Sequence, residues 1–341
     1  MKEKYSVALC TCNGEKYLQQ QLESIINQTV QVDEIVVCDD ESTDRTVNIA
    51  KTVLESTYIP YKIVVNTPRL GVTKNFEKCI GLCSGDIIFL SDQDDVWMEN
   101  KVEVLSSIFS DKETVLAFSD AYVIDQNGEV INQSAYNRFR FLSKGINDFY
   151  IAEMLTRKQQ GINGCFTVIR KALYDKITPF YDDDDDYKLY HDTWIEYCAG
   201  LSGKIVGIQD KLMCYRVHDS NVTQSAGVQD KWFSIVTSGD RYDQRFCLHT
   251  FRRQRNTILT EAIKIFPDVD NIYSRKYRKC IRMYERLIRY KEKNKACRIF
   301  MLLISFIDGA YYYRDISRNI ENTIWHRSKL LVRDILFMLS W

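Results

Sequence analysis

An α/β fold built on a doubly wound, mixed or mostly parallel sheet, followed by a helical C-terminal region, is what this 341-residue sequence predicts. Three observations carry that expectation. Short β-rich runs alternate with helix-patterned stretches over the first 120 residues; those runs are continuously apolar; and from about residue 228 the chain turns into long, basic, helix-patterned stretches. Residues 5–10 (YSVALC) and 34–40 (EIVVCDD) read as strands, and between them Leu18, Leu22, Ile25 and Ile26 fall at helical spacing. Residues 62–66 and 86–90 (DIIFL) are the next strands, with a helix pattern over 72–83 between them. Apolar runs without alternation mean strands covered on both faces, as crossover helices cover a parallel sheet. Ligands of such sheets bind at the carboxyl ends of strands.

The middle of the chain, from about 115 to 221, gives mixed signals. Residues 162–169 (INGCFTVI) and 212–217 (LMCYRV) read as strands, and a helix pattern follows Asp192. Five consecutive aspartates at 182–186 repel one another and read as a solvated loop.

Composition narrows the class. Hydrophobic residues make up 45% and aromatic residues 12%, which suits a packed globular protein. Net charge is zero, but from Lys231 onward there are 23 basic against 11 acidic residues, leaving 23 against 35 for the first 230. Such asymmetry points to two regions with different partners, one of them anionic. The 11 scattered cysteines read as reduced, mostly buried thiols. The apolar run at 299–307 is too short to span a bilayer, so the expected location is cytoplasmic, peripheral at the inner face of the cell membrane. Neither G-x-G-x-x-G nor G-x-x-x-x-G-K-[ST] occurs, which removes the dinucleotide and P-loop readings. No nucleic-acid motif is recognisable, and no nucleic-acid partner is expected.

Acidic residues cluster after the predicted strands. Asp39 and Asp40 end EIVVC, where carboxylates accept hydrogen bonds from a nucleotide's base N–H and ribose hydroxyls. Ser42, Thr43 and Asp44 beyond them suit a helix cap. SDQDD (91–95) ends DIIFL with three carboxylates in four positions, an arrangement a hard divalent cation stabilises. A third group, His191-Asp192-Thr193-Trp194, opens a helix, with Asp192 a capping residue or a functional carboxylate.

These stretches together resemble the family 2 glycosyltransferases of GT-A fold. The residues that carry the likeness are VALCTCNGEKYLQQQLESIINQT, EIVVCDDESTDRT and LGVTKNFEKCIGLCSGDIIFLSDQDDVW, and it extends over about residues 5–222. The bacterial rhamnosyltransferase-like branch, with its SDQDD-x-W strand end, is the most similar. The resemblance implies an inverting hexosyltransferase that uses Mg²⁺ or Mn²⁺ and a dTDP- or UDP-sugar. It implies a catalytic domain over 1–225, with a nucleotide-binding half to about 120 and an acceptor half after it. Thr11, Asn13 and Glu15 would border the nucleotide pocket, and Asp39 or Asp40 would hold base and ribose. Lys74 and Asn75 would lie near the donor phosphates. Asp92 and Asp94 would serve ribose and metal, with Asp95 beside them. Asp192 would be the general base. Trp97, Asn163, Gly164, His191 and Trp194 would line the acceptor pocket. His218 would meet the metal or a phosphate, and Arg216 would be a counter-charge to the diphosphate.

The competing readings are a metal-binding α/β regulatory module without transfer activity and a sugar nucleotidyltransferase. The basic region 226–341 reads as a helical domain. Its expected partner is an anionic membrane surface carrying a glycan or lipid-linked acceptor, with a homo-oligomer interface as the alternative.

Overall fold

The computed structural model describes residues 3–135, 162–181, 190–219, 221 and 260–267. Nine strands form one sheet in the order β3-β2-β1-β4-β8-β6-β9-β5, with β7 paired to β6. The first half of the sheet follows the expected alternation: β1 (Tyr5–Thr11), α1 (Leu18–Ile26), β2 (Glu34–Asp39), α2 (Thr46–Glu55), β3 (Tyr61–Val65), α3 (Val72–Leu82) and β4 (Ile87–Ser91). All three pairings among β1–β4 are parallel. Every residue of β4 and six of the seven in β1 are buried, because helices cover both faces. On α1, Leu18, Leu22 and Ile25 face the core at the spacing expected of an amphipathic helix.

The second half reverses direction. β5 (Val96–Trp97), α4 (Lys101–Ile108), β6 (Thr114–Ile124), β7 (Val130–Asn132), β8 (Thr167–Arg170), α5 (Lys171–Ile177), α6 (His191–Ser202) and β9 (Lys204–Arg216) follow in chain order. β8 runs antiparallel between β4 and β6, whereas β6 and β9 are parallel. The strand expected over 162–169 starts only at Thr167, after a single 3₁₀ turn at Gly164–Phe166. The strand expected at 212–217 is the end of the thirteen-residue β9.

Among the described residues eight cysteines are free, six of them buried. No described helix is long and apolar enough to cross a membrane. The aspartate run at 182–186 and the greater part of the basic region lie outside the described residues. Of that region, Ala262 and Phe266 are buried as part of the hydrophobic core.

Candidate active site

The carboxyl ends of β1, β2 and β4 and the starts of α3 and α6 frame the site. At the end of β2, Asp39 accepts hydrogen bonds from Thr11 Oγ1 (2.8 Å) and from the Ser42 N–H (2.9 Å). Asp40 accepts from the Leu70 N–H (2.7 Å), the Gly71 N–H (2.8 Å) and Asn66 Nδ2 (3.0 Å). Burial alone would raise the Asp40 carboxyl, but these donors and the Arg69 guanidinium outweigh it and hold the group below its ordinary value. Gly71 sits at φ 82°, a left-handed conformation that a side chain would strain.

The loop after β1 is tied to this cradle. Asn13 adopts φ 51°, offset by donation of its N–H to Ser42 Oγ (2.7 Å) and acceptance of the Thr43 N–H by Oδ1 (2.9 Å). Glu15 accepts from both N–H and Nε of Arg45 at 3.1 Å. Asp44 accepts the Thr46 N–H at 2.9 Å just ahead of α2, whose cap position is taken by Arg45 and not by the expected Ser42, Thr43 or Asp44. Gln93, the residue inside SDQDD, exchanges two hydrogen bonds with the backbone of Cys12 (2.8 and 3.0 Å), clamping the loops after β1 and β4 together. Nothing in the sequence marks Gln93 for that task.

The two residues expected near the donor phosphates both have protein partners. Lys74 Nζ holds Glu77 (2.8 Å) and the Phe180 carbonyl (3.0 Å). Asn75 is buried behind Asp40, bonded to Asn66 Nδ2 (2.8 Å) and to the Cys38 carbonyl (2.9 Å). Its bonds complete the cradle from within and engage both ends of its amide.

The SDQDD carboxylates have different surroundings from one another. Asp94 Oδ2 lies 2.9 Å from His218 Nε2 and 3.3 Å from Asn221 Nδ2, so two of the expected metal ligands stand side by side. Asp95 is buried, with Oδ1 accepting the Arg216 N–H (3.1 Å) and Oδ2 left without a partner. Oxygens of Asp92 and Asp95 and the Cys165 thiol lie within 4.8 Å of one another. Burial first, and then the neighbouring Asp94 charge, push the half-buried Asp92 up to about 7. The same two causes drive Asp95 well above its ordinary value.

The Arg216 guanidinium is buried against the Tyr17 ring (4.6 Å), and its hydrogens go to the Asp94 carbonyl (2.8 Å), the Asp125 carbonyl (3.3 Å) and Gln20 Oε1 (2.7 Å). These bonds brace the loop after β4.

A hard divalent cation fits this donor set. Asp94 offers an oxygen beside the His218 imidazole nitrogen, and Asp92 and Asp95 offer a second group of oxygens beside the Cys165 thiol. Cys165 is a soft donor that Mg²⁺ and Mn²⁺ do not seek.

On the opposite side, Asp192 lies in the first turn of α6, half-buried. It accepts the Thr193 N–H at 2.6 Å and the Gly164 N–H, yet burial prevails and pushes its carboxyl up to about 6. The Asp192 charge also contributes, after burial and Asp94, to the upward push on Asp92. His191 is stacked on Phe76 (centroids 3.9 Å apart), its nitrogens have no partner, and burial pushes it down to about 3, hence neutral. A Cβ at Gly164 would lie 2.3 Å from His191 Nε2, which is why a glycine stands there. Asn163 precedes it at the mouth of the 3₁₀ turn. Trp97 and Trp194, expected in the acceptor pocket, are 3% and 1% exposed. They pack beneath the site, Trp194 donating to the Ile177 carbonyl (3.1 Å), and offer an acceptor no surface.

Known proteins place this architecture. The chain is 27% identical over 224 residues to WfgD of Escherichia coli, a UDP-Glc:alpha-D-GlcNAc-diphosphoundecaprenol beta-1,3-glucosyltransferase, covering 64% of this chain and 79% of that protein. It is 37% identical over 103 residues to the dTDP-rhamnosyl transferase RfbG of Shigella flexneri, covering 28% of this chain and 34% of that one. In fold it resembles S. aureus TarS residues 1–349 in complex with UDP-GlcNAc, with a TM-score of 0.55 at 16% identity over 98% of this chain and 89% of that one. The model of glycosyl transferase family 2 matches residues 6–178, just over half of the chain, and the protein is a member of that family, a glycosyltransferase of GT-A fold.

Proposed function

We propose that this glycosyltransferase is an inverting, divalent-cation-dependent enzyme that moves a hexose-type sugar from a dTDP- or UDP-sugar to a hydroxyl of a glycan or lipid-linked glycan precursor. The observation that carries the reading is a pair of unlike acidic groups on two elements, near enough for the Asp192 charge to act on Asp92. Asp92, Asp94 and Asp95 stand at the end of β4, and Asp192, raised to about 6, stands at the start of α6. A carboxyl with that affinity is deprotonated at neutral pH and basic enough to take a proton.

The acceptor hydroxyl gives its proton to Asp192 as its oxygen attacks the anomeric carbon. On the opposite face of the sugar the bond to the diphosphate breaks, and the departing phosphate oxygen keeps the electron pair. The anomeric centre passes through oxocarbenium character. One base and one displacement invert the configuration. Asp94 and His218, with Asp92 beside them, would hold Mg²⁺ or Mn²⁺, which when bound supplies Lewis-acid neutralisation of the charge on the leaving diphosphate. Asp39, Asp40 and Thr11 form the rigid floor against which base and ribose are read.

The rhamnosyl transferase named above favours dTDP-rhamnose, and the glucosyltransferase keeps UDP-glucose and a lipid-linked acceptor beside it. In the same reading the basic C-terminal region brings the enzyme to an anionic membrane surface. A thermal-shift screen of dTDP-, UDP- and GDP-sugars with Mn²⁺ separates the donors, since only a ligand that binds the folded state raises its stability.

The decisive variant is Asp192→Asn. Expected are unchanged donor affinity, a loss of roughly 10²–10⁴-fold in transfer rate, and disappearance of an acidic limb in the pH–rate profile near 6. Donor affinity that collapses while the rate per bound complex holds would remove Asp192 from the base role.

A further inference from the structure

Lys101 is the first residue of α4 and is fully buried. A lysine in that place is costly twice over, because burial strips its hydration and the helix N-terminus repels a cation. Its Nζ contacts the Cys165 carbonyl (3.2 Å) and Met213 Sδ (3.4 Å), and it lies 4.2 Å from the centroid of the Trp97 ring. None of these partners carries a charge. Burial pushes its ammonium down to about 8 against the attraction of Cys165 first and then of Asp95 and Asp92, and the Cys165 residue whose carbonyl it holds carries a thiol beside both carboxylates. The second basic group near the cluster, Arg216, turns its guanidinium to neutral acceptors.

We propose that Lys101 is the resident counter-cation of the acidic end of β4, neutralising Asp92 and Asp95 from beneath so that the exchangeable cation answers chiefly to Asp94. It is a positioning residue, acting on the metal through the carboxylates and touching neither substrate nor metal. Its charge makes the buried pair tolerable in the resting protein, and it weakens the pull of the site on a divalent ion. The cation is therefore held loosely until a nucleotide diphosphate adds its own oxygens. The inference rests on the metal reading given above, but its electrostatic part stands without it.

The test is a double-mutant cycle of Lys101→Met and Asp95→Asn in the full-length protein, with Mn²⁺ affinity measured by electron paramagnetic resonance in the absence of nucleotide, and melting temperature alongside. Lys101→Met is expected to bind Mn²⁺ on the order of tenfold more tightly, the scale of one charge removed near a partly buried site. Asp95→Asn is expected to bind it more weakly, and the double variant to return close to wild type. A folded Lys101→Met with unchanged or weaker Mn²⁺ affinity overturns the proposal. If Lys101→Met does not fold, the proposal requires Asp95→Asn in that background to restore a cooperative melt; a double variant no more stable than the single one sinks it. Should the wild type bind no Mn²⁺ at all, the metal reading fails, and the rescue of stability alone decides the role of Lys101.

Discussion

Two strand ends of this sheet carry adjacent carboxylates, and the protein treats them in opposite ways. At the end of β2, Asp40 receives two backbone N–H groups and one side-chain amide, and its carboxyl is held below its ordinary value. At the end of β4, Asp92 is pushed up to about 7, and Asp95 keeps an oxygen with no partner. The first end is finished by the protein itself and is rigid before any ligand arrives. The second is completed in part by Lys101, and what remains is a demand for positive charge. Preorganised hydrogen bonding suits recognition of a neutral base and ribose, whereas an unfinished charge suits a cation that comes and goes with its substrate.

The sharpest break of this contrast exchanges function for stability at the two ends. Asp94→Asn keeps an oxygen that accepts from Asn221, so the fold should survive. Cation-supported transfer should drop on the order of 10²–10⁴-fold, matching the several kcal/mol that metal neutralisation supplies. Full turnover in this variant would dissolve the assignment of Asp94 to the cation. Asp40→Ala should act the other way round. It strands the Leu70 and Gly71 N–H groups and Asn66 Nδ2 in a buried place. We expect it to cost about 3–5 kcal/mol of stability, visible in urea unfolding whether or not a cation is present. A deficit below about 1 kcal/mol would mean that water replaces the carboxylate freely.

How far the sequence discloses these two ends follows from the distances over which their partners lie. β1, α1, β2, α3 and β4 are readable because each is a local pattern, an apolar run or a 3.6-residue stripe closed within about ten residues. The Asp94–His218 pair spans 124 positions, and only family likeness could anticipate it. Lys101 is invisible in the sequence because a lysine at a helix start ordinarily reads as solvated surface, and its burial depends on Trp97, Cys165 and Met213 converging from other elements. Trp194 and Trp97 mislead for the mirror reason. Their proximity in sequence to acidic motifs suggests a pocket wall, but their bulk is spent in the core. β8 starts later than its apolar run, after a 3₁₀ turn in which Gly164 leaves room for the His191 ring.

A finer probe of the unfinished end is the pH dependence of stability. Asp92 titrates near 7 in the folded protein against an ordinary value of 3.8. Its folded affinity for the proton is raised, so its stabilising contribution is complete below about 3.8 and is lost as pH rises through about 7. Above that pH the ionised group burdens the fold. Asp92→Asn should therefore be more stable than wild type at pH 8 in the absence of divalent cations, by about 1–3 kcal/mol after allowance for partial exposure. At pH 4 the advantage should vanish. Equal stability at both pH values, measured by urea unfolding in chelator, would show that the carboxylate is already compensated.

The smallest expected effect concerns Lys74, where the likeness to the family and the geometry of this chain part company. The likeness sets a lysine after the Gly71 turn beside the donor phosphates. Here Nζ is bonded to Glu77 and to the Phe180 carbonyl, bridging α3 to the segment after α5. A lysine engaged in this way must give up an ion pair to reach a phosphate. The side chain is 35% exposed and its partner 15%, so the pair itself contributes little, about 0–1 kcal/mol. Lys74→Ala should accordingly change stability by no more than that and leave affinity for the nucleoside diphosphate within about threefold of wild type. Were the ammonium a phosphate ligand, its removal would instead cost a charge-assisted hydrogen bond, about 1.5–3 kcal/mol, or tenfold and more in affinity. Calorimetric titration of the nucleoside diphosphate into the two proteins separates these outcomes. A tenfold weakening would mean that Lys74 leaves Glu77 when the donor binds.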